Sequence, residues 1–278
     1  MSGKWWGLAA ALLAALPARA ESLADYGAHA SCIIEPNNSY KLSMPAQGTL
    51  SRVAVERADK VTKGQVVAEL ESGVEQSQVD AAKARASTNV FVRLKTAVYE
   101  AAQSKLERQR ALRVDRITSQ QTLEDAESAA AVAKADVEQA ELDKTLAGFE
   151  VKRLEATLER RTLRSPADGV VTSVDLHTGE FADPAAPVAT ITEIDPLKVD
   201  VYLPARAYPM TSVGTHAMVT PVEPAGDARD AVVITKDPQI DASSGLFLIE
   251  LKLRNPDGAI PAGIRCGVTF SASGEAAK

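Results

Sequence analysis

Covalent or metal chemistry in this chain would have to come from two cysteines, three histidines and its lysines, and their spacing does not assemble a site. His29, His177 and His216 are scattered, with no second ligand at the separation a metal needs. Each reads as a surface or turn residue. No Ser/His/Asp set, Cys-x-x-Cys pair or phosphate-cradling glycine loop occurs. There is no methionine cluster of the kind that hands on soft metals. The carboxylates of residues 75–160 are spread around helix faces, the pattern of solvation and i,i+4 pairing. These residues imply no enzyme and no cofactor. Cys32 and Cys266 leave two readings open, a disulfide or two free thiols.

The N-terminus says where the chain is expected to work. Lys4 precedes an apolar run from Leu8 to Leu16, and Ala18-Arg19-Ala20 follows with small residues at cleavage positions. That order is a secretory signal peptide over residues 1–20. The run is far short of the ~20 residues that span a bilayer. Residue 21 is Glu, so no lipid-bearing Cys follows the cut. No later segment reaches spanning length, so an exported, periplasmic protein is expected. Without Lys4 and Arg19 the mature chain has 29 basic and 37 acidic residues, a net charge of −8. Non-specific nucleic-acid binding needs a basic face and is disfavoured. Aromatic residues make up only 4% of the chain, which argues against a large aromatic-lined ligand pocket and for closely packed Ala-rich helices.

An internal repeat organises the rest. Pro45-Ala46-Gln47-Gly48 and the residues that follow match Pro166-Ala167-Asp168-Gly169 at an offset of 121, and Val67-Ala68-Glu69-Leu70 falls on Val188-Ala189-Thr190-Ile191 at the same offset. Val53 and Val55, and Val174 and Leu176, alternate with polar or small residues as in half-buried strands. Each copy is too small to bury a core alone. The two are therefore expected to pack together as one small β-sandwich.

Between the copies, residues 75–160 contain no Pro and one Gly, Gly148, so a nearly unbroken helical stretch is expected. From Leu123 to Leu158 apolar residues follow steps of 3 and 4, interrupted only by Lys144, which predicts a coiled-coil seam. Upstream, Val79, Ala82, Ala86, Val90, Leu94, Ala97 and Ala101 form a second stripe. A break is expected near Arg116 to Ser119, where Ser119 is a good N-cap. Arms over 75–115 and 119–160 then form an antiparallel hairpin, each arm roughly 60 Å long at 1.5 Å per residue. Beyond it, Lys198–Leu203, Thr215–Thr220, Ala231–Thr235, Leu246–Leu253 and Val268–Phe270 read as strands of a compact barrel, punctuated by prolines.

The order half-repeat, helical hairpin, half-repeat, barrel resembles the periplasmic adaptor, or membrane fusion, family of tripartite pumps. Lys41-Leu42-Ser43-Met44-Pro45-Ala46-Gln47-Gly48 with Val61-Thr62-Lys63-Gly64-Gln65 looks like the family's first lipoyl-like half-motif. Leu163-Arg164-Ser165-Pro166-Ala167-Asp168-Gly169 looks like the second, and Asn255-Pro256-Asp257-Gly258 with Pro261-Ala262-Gly263 resembles the barrel ending. The resemblance implies an α+β fold: a long antiparallel α-helical coiled-coil hairpin inserted in a split lipoyl-like β-sandwich, followed by a small β-barrel. Its segments are a signal peptide (1–20), a barrel-associated N-terminal segment (21–40), lipoyl-like halves (41–74 and 161–192), the hairpin (75–160), the barrel (193–272) and a tail (273–278). No segment resembles the membrane-proximal domain that many members carry, so the barrel is expected to face the transporter.

Adaptors that dock on drug-efflux channels show Arg-Leu, Leu three residues on, and Ser seven further. Arg108, Leu112 and Ser119 fit that spacing, and Gln109 stands where Leu would be. The resemblance therefore implies docking of an outer-membrane channel at Arg108, Leu112 and Ser119. It also implies an inner-membrane transporter, RND-type (resistance-nodulation-division) before ABC-type, and side-by-side copies in a ring. It brings the N-terminal segment and the last barrel strand together, which implies a Cys32–Cys266 bond. Lipoyl-like folds also carry biotin or lipoate on a lysine at a hairpin tip. Asp59-Lys60-Val61 looks similar, but it precedes the Val61–Gly64 turn, and the helical hairpin occupies the carrier lysine's place. A purely structural coiled-coil protein would explain the helices but not the split repeat or the barrel.

Overall fold

A computed structural model describes residues 22–27, 30–114 and 117–270. The signal-peptide reading, His29, Arg116 and the 273–278 tail fall outside them. The described chain forms two compact units, 39–192 and a second drawn from both flanks, and each has its own core.

The first unit realises the repeat strand for strand. β2 (Gly48–Val53), β3 (Lys60–Val61) and β4 (Val66–Leu70) correspond at an offset of 121 to β6 (Gly169–Val174), β7 (Phe181–Ala182) and the start of β8 (Pro187–Pro204). The pairings repeat too. Gly48↔Ala182 and Thr49↔Phe181 on one side mirror Val61↔Gly169 and Lys60↔Val170 on the other. Leu50↔Leu70, Arg52↔Glu69 and Val53↔Ala68 mirror Val171↔Ile191, Ser173↔Thr190 and Val174↔Ala189, down to the irregularity after Leu50 and after Val171. Each half thus donates a short strand to the other, and neither sheet closes alone. Met44, Leu50, Val67, Leu70, Val171, Val188 and Ile191 fill the shared core. Gly169 must be glycine: a Cβ there would lie 2.6 Å from the Thr192 carbonyl oxygen.

The helices leave this unit between β4 and β5 (Thr162–Arg164), which pair with each other. The outgoing arm is α2 (Gly73–Ser87) then α3 (Val90–Val114), and the return arm is the single helix α4 (Gln120–Glu159). Lys83–Glu155 (2.8 Å), Lys95–Asp136 (2.7 Å) and Arg110–Glu127 (3.1 Å) cross between the arms. One number rises as the other falls, so the arms run antiparallel. On α4 the 3-4 positions Ala126, Ala130 and Ala133 are buried, while Lys144 is exposed.

The outgoing arm departs from the expected continuous helix over 75–115. It breaks at Thr88, whose extended backbone (φ −76°, ψ 134°) caps α2 before α3 restarts. The break rephases the arm. Val79 of the predicted stripe is buried, but Val90, Leu94, Ala97 and Ala101 turn outward. In α3 the half-buried and buried apolar and aromatic positions are Val92, Tyr99, Ala102 and Leu106 instead.

The second unit is a closed barrel. β1 (Ser31–Ser43), β9 (His216–Pro221), β10 (Arg229–Lys236), β11 (Leu246–Leu253) and β12 (Ile264–Phe270) join β8 in the order β1-β12-β9-β10-β11-β8, and a β1–β8 pairing closes the ring. Alternate residues face inward, including Val199, Val201 and Leu203 of β8 and Phe247, Ile249 and Leu251 of β11. A short helix, α1 (Leu23–Gly27), packs on β12. Asn255 ties the loop before β12. Its amide donates to the carbonyls of Ile194 (3.0 Å) and Ile260 (2.9 Å), and its oxygen accepts from the Ile260 amide (3.1 Å). A 99%-buried amide fully paired in this way locks the loop.

Candidate functional site: the hairpin tip and its base

At the tip, Ser119 caps α4. Its Oγ accepts from the Thr122 amide (3.1 Å) and lies 2.7 Å from Thr122 Oγ1. The expected N-cap is thus also the expected docking hydroxyl, and its lone pairs are partly committed. Gln109, the departure from the family pattern, has its own work: its Oε1 accepts from Thr118 Oγ1 at 2.8 Å. Arg113 donates to the Thr118 carbonyl (3.2 Å), and the Ile117 amide donates to the Leu112 carbonyl (2.9 Å). These bonds fold the end of α3 onto the start of α4.

Arg108 is exposed and, among the described residues, makes no ion pair or side-chain hydrogen bond. Arg110 beside it is held by Glu127. Leu112 is 37% exposed. Arg108 and Leu112 lie four apart on α3 and so share a face. Ser119 lies across the turn from them. Two further apolar side chains stand out from the tip, Val114 (83% exposed) and Ile117 (70%). In the sequence Ile117 falls inside the expected break at Arg116 to Ser119, and nothing there sets it or Val114 apart as an exposed apolar residue. The described residues of the tip present an exposed cation and an apolar ridge.

The base of the hairpin rests on Arg161, which sequence reasoning missed. Its Nη1 donates to the Gln47 carbonyl (2.7 Å), its Nη2 bridges to Glu75 Oε1 on α2, and its carbonyl accepts from the Leu70 amide (2.8 Å). Backbone hydrogen bonding at the helix start and the Arg161 guanidinium together hold the Glu75 carboxyl below its ordinary range. Arg160 adds a bond to the Pro45 carbonyl (2.6 Å). One fork thus joins the first half-repeat, the outgoing arm and the returning strand.

In the barrel, Cys32 and Cys266 are directly opposed on β1 and β12, with Cα atoms 5.0 Å apart, and are joined as a disulfide. On the outer face Asp200 and Glu250 are cross-strand neighbours, and Lys198 is engaged with Glu250 at 2.8 Å. Asp200 Oδ1 is buried without a hydrogen-bond partner. Partial burial and then Glu35 push the Asp200 carboxyl up. Among the described residues no group of three or more His, Cys, Asp or Glu side chains could hold a metal, and no helix is long and apolar enough to cross a membrane.

No family model matches the chain. Its curated relatives include an uncharacterised Haemophilus influenzae protein, 24% identical over 226 residues. Another is a UPF0194 membrane protein of Acidithiobacillus ferridurans, 28% identical over 214 residues. The matches cover 81% and 62% of this chain, which spans only 52% and 63% of those relatives. Solved structures are more telling. MacA of Actinobacillus actinomycetemcomitans superposes with a TM-score of 0.72 at 20% identity, over 88% of this chain and 78% of that one. The membrane fusion protein Spr0693 of Streptococcus pneumoniae gives 0.58 at 15%, over 88% and 98%.

The chain has the membrane fusion protein fold.

That fold is also shared with a MacA–MexA chimera carrying the Pseudomonas aeruginosa MexA α-hairpin domain (TM-score 0.52, 18% identity, 88% of this chain and 80% of that one). A membrane fusion fold accounts for a helical hairpin emerging between two half-repeats, with a barrel formed from both flanks.

Proposed function

We propose that this chain is a periplasmic adaptor of a tripartite efflux pump. It links an inner-membrane transporter, RND-type as first choice, to an outer-membrane channel and seals the conduit between them. It performs no catalysis; the transporter supplies the energy. Residues 1–20 export it, the lipoyl-like halves 41–74 and 161–192 carry the coiled-coil hairpin 75–160, and the 193–272 barrel faces the transporter. Copies stand side by side in a ring, and the Cys32–Cys266 bond suits an oxidising compartment.

The observation that carries the reading is the tip: an unpaired Arg108 and a half-exposed Leu112 on one face of a hairpin end that has no other evident task. A cation with no ion-pair partner among the described residues can bond acceptors on a channel loop, while Leu112 enters an apolar groove. Arg108→Asp reverses that charge at an exposed site and is expected to abolish pump function at unchanged protein level. Efflux of the host's pumped compounds, measured against immunoblotted adaptor, checks this. Undiminished efflux would remove Arg108 from the docking surface. An ABC-type exporter is the alternative partner, and the class of transporter captured by the barrel decides between them.

A further inference from the structure

Each arm of the hairpin carries one defect, and the two defects face each other. On α4 the seam residues Ala126, Ala130 and Ala133 are buried, and Ala140, Ala147 and Val151 are half-buried. Lys144, in the same row, is exposed. An ammonium cannot enter an apolar seam without losing its hydration, so the side chain turns to water and leaves its place in the row unfilled. On the outgoing arm the helix breaks at Thr88, and its extended backbone interrupts the row of side chains that a continuous helix would pack there.

Thr88 and Lys144 both line a cleft of about 450 Å³ between the arms, a size that holds a drug-sized ligand. Its apolar lining comes from Val92 and Ala140, both half-buried, and from Phe91, which is 70% exposed. The space exists because a seam was opened on both sides, and apolar side chains remain in it without a partner.

The charges around the cleft are not balanced. Lys95 and Asp136 are paired with each other at 2.7 Å. The Asp143 carboxylate accepts from Gln139 Nε2 at 2.9 Å. Arg85 and Lys144 make no ion pair or side-chain hydrogen bond among the described residues. Glu150 lies near Arg85, but both its oxygens are held by Arg153, at 2.8 and 2.6 Å. The uncommitted charges at the rim are therefore two cations.

We infer that this cleft binds a single-chain anionic amphiphile, a long-chain carboxylate taken from the aqueous phase. The chain lies on Val92, Ala140 and Phe91 and fills the gap in the seam. The head group accepts hydrogen bonds from Arg85 and Lys144, the charge-assisted kind that contributes most. A cationic amphiphile would meet the same two groups as repulsion. Thr88 is twenty residues from Arg108, about 30 Å along the helix, so ligand binding and channel docking are read independently.

Calorimetric titration of the full mature protein with laurate, below its micelle concentration, tests this. One laurate is expected to bind per chain. Arg85→Gln and Lys144→Gln, both at exposed positions, are each expected to raise Kd about tenfold, the worth of one charge-assisted hydrogen bond. Dodecyltrimethylammonium is expected not to bind. Circular dichroism checks that each variant keeps its helices; should Lys144→Gln lose them, Arg85→Gln carries the test. Absence of laurate binding overturns the inference. Equal binding of the cationic amphiphile, or laurate binding unchanged in the variants, means partitioning onto exposed apolar side chains and overturns it too. Phosphatidylglycerol vesicles are expected not to retain the protein. Retention that Lys144→Gln abolishes would assign the site to a bilayer lipid and overturn the free ligand.

Discussion

Ala58 is the one described residue other than glycine with positive φ, at +75°. Its counterpart 121 residues on is Gly179, at +91°, and the two make mirrored bonds: the Ala58 amide to the Val171 carbonyl and the Gly179 amide to the Leu50 carbonyl, each 2.8 Å. The left-handed region strains a Cβ. Ala58→Gly is therefore expected to stabilise the unit by about 0.5–1 kcal/mol, after allowing for the freer unfolded glycine. Thermal unfolding checks it; a lower Tm would contradict it. Asp200 makes a different prediction. Its folded pKa is raised, so its ionisation costs stability as pH climbs from the unfolded value through the folded one. Asp200→Asn removes that cost, and its oxygen still lies beside Glu250. The variant's Tm is expected to exceed the parent's at pH 7 and to converge with it towards pH 4. A parallel offset at both pH values would assign the effect to packing instead. Neither position was legible in the sequence. Ala58 looks like any turn alanine until the repeat is aligned, and the Asp200–Glu250 opposition exists only once β8 and β11 are in register.

Among the elements, α4 could be read from spacing alone because small residues at 3-4 steps have one low-energy use, a close helix contact. The outgoing arm could not. Its stripe is less regular but still usable through Ala101, and Thr88 and Asn89, weak helix formers, break the arm without glycine or proline. A two-residue interruption turns the later residues out of the seam, and apolar periodicity carries no mark of which neighbour covers it. The base was hidden for a related reason: Arg161 is one arginine among several near the helix end, and its role depends on the Gln47 carbonyl and the Glu75 carboxylate, 114 and 86 residues away. Arg161→Ala would leave the Glu75 carboxylate and the Gln47 carbonyl without their donor, at a cost of about 1–3 kcal/mol. Limited proteolysis is expected to cut sooner at the base of the hairpin, with the barrel intact. Arg161→Lys should not rescue it, because a single ammonium cannot span both acceptors. Unchanged cleavage would show that β4–β5 pairing alone holds the hairpin.

For the whole molecule, the split repeat was the most informative signal, because an offset of 121 kept over many positions leaves little freedom in which strands pair. The barrel was legible from its short, proline-punctuated strands, whereas the β1–β8 pairing that closes it was not, because nothing local to either strand encodes it. Photo-crosslinking in the living host is the most direct test of the adaptor role, with one probe at Val114 on the tip and another at Val222 on the barrel, both exposed. The tip is expected to capture an outer-membrane channel and the barrel an inner-membrane transporter, whose class then distinguishes RND from ABC partners. Recovery of no membrane protein by either probe, with the protein exported and folded, would contradict the adaptor function.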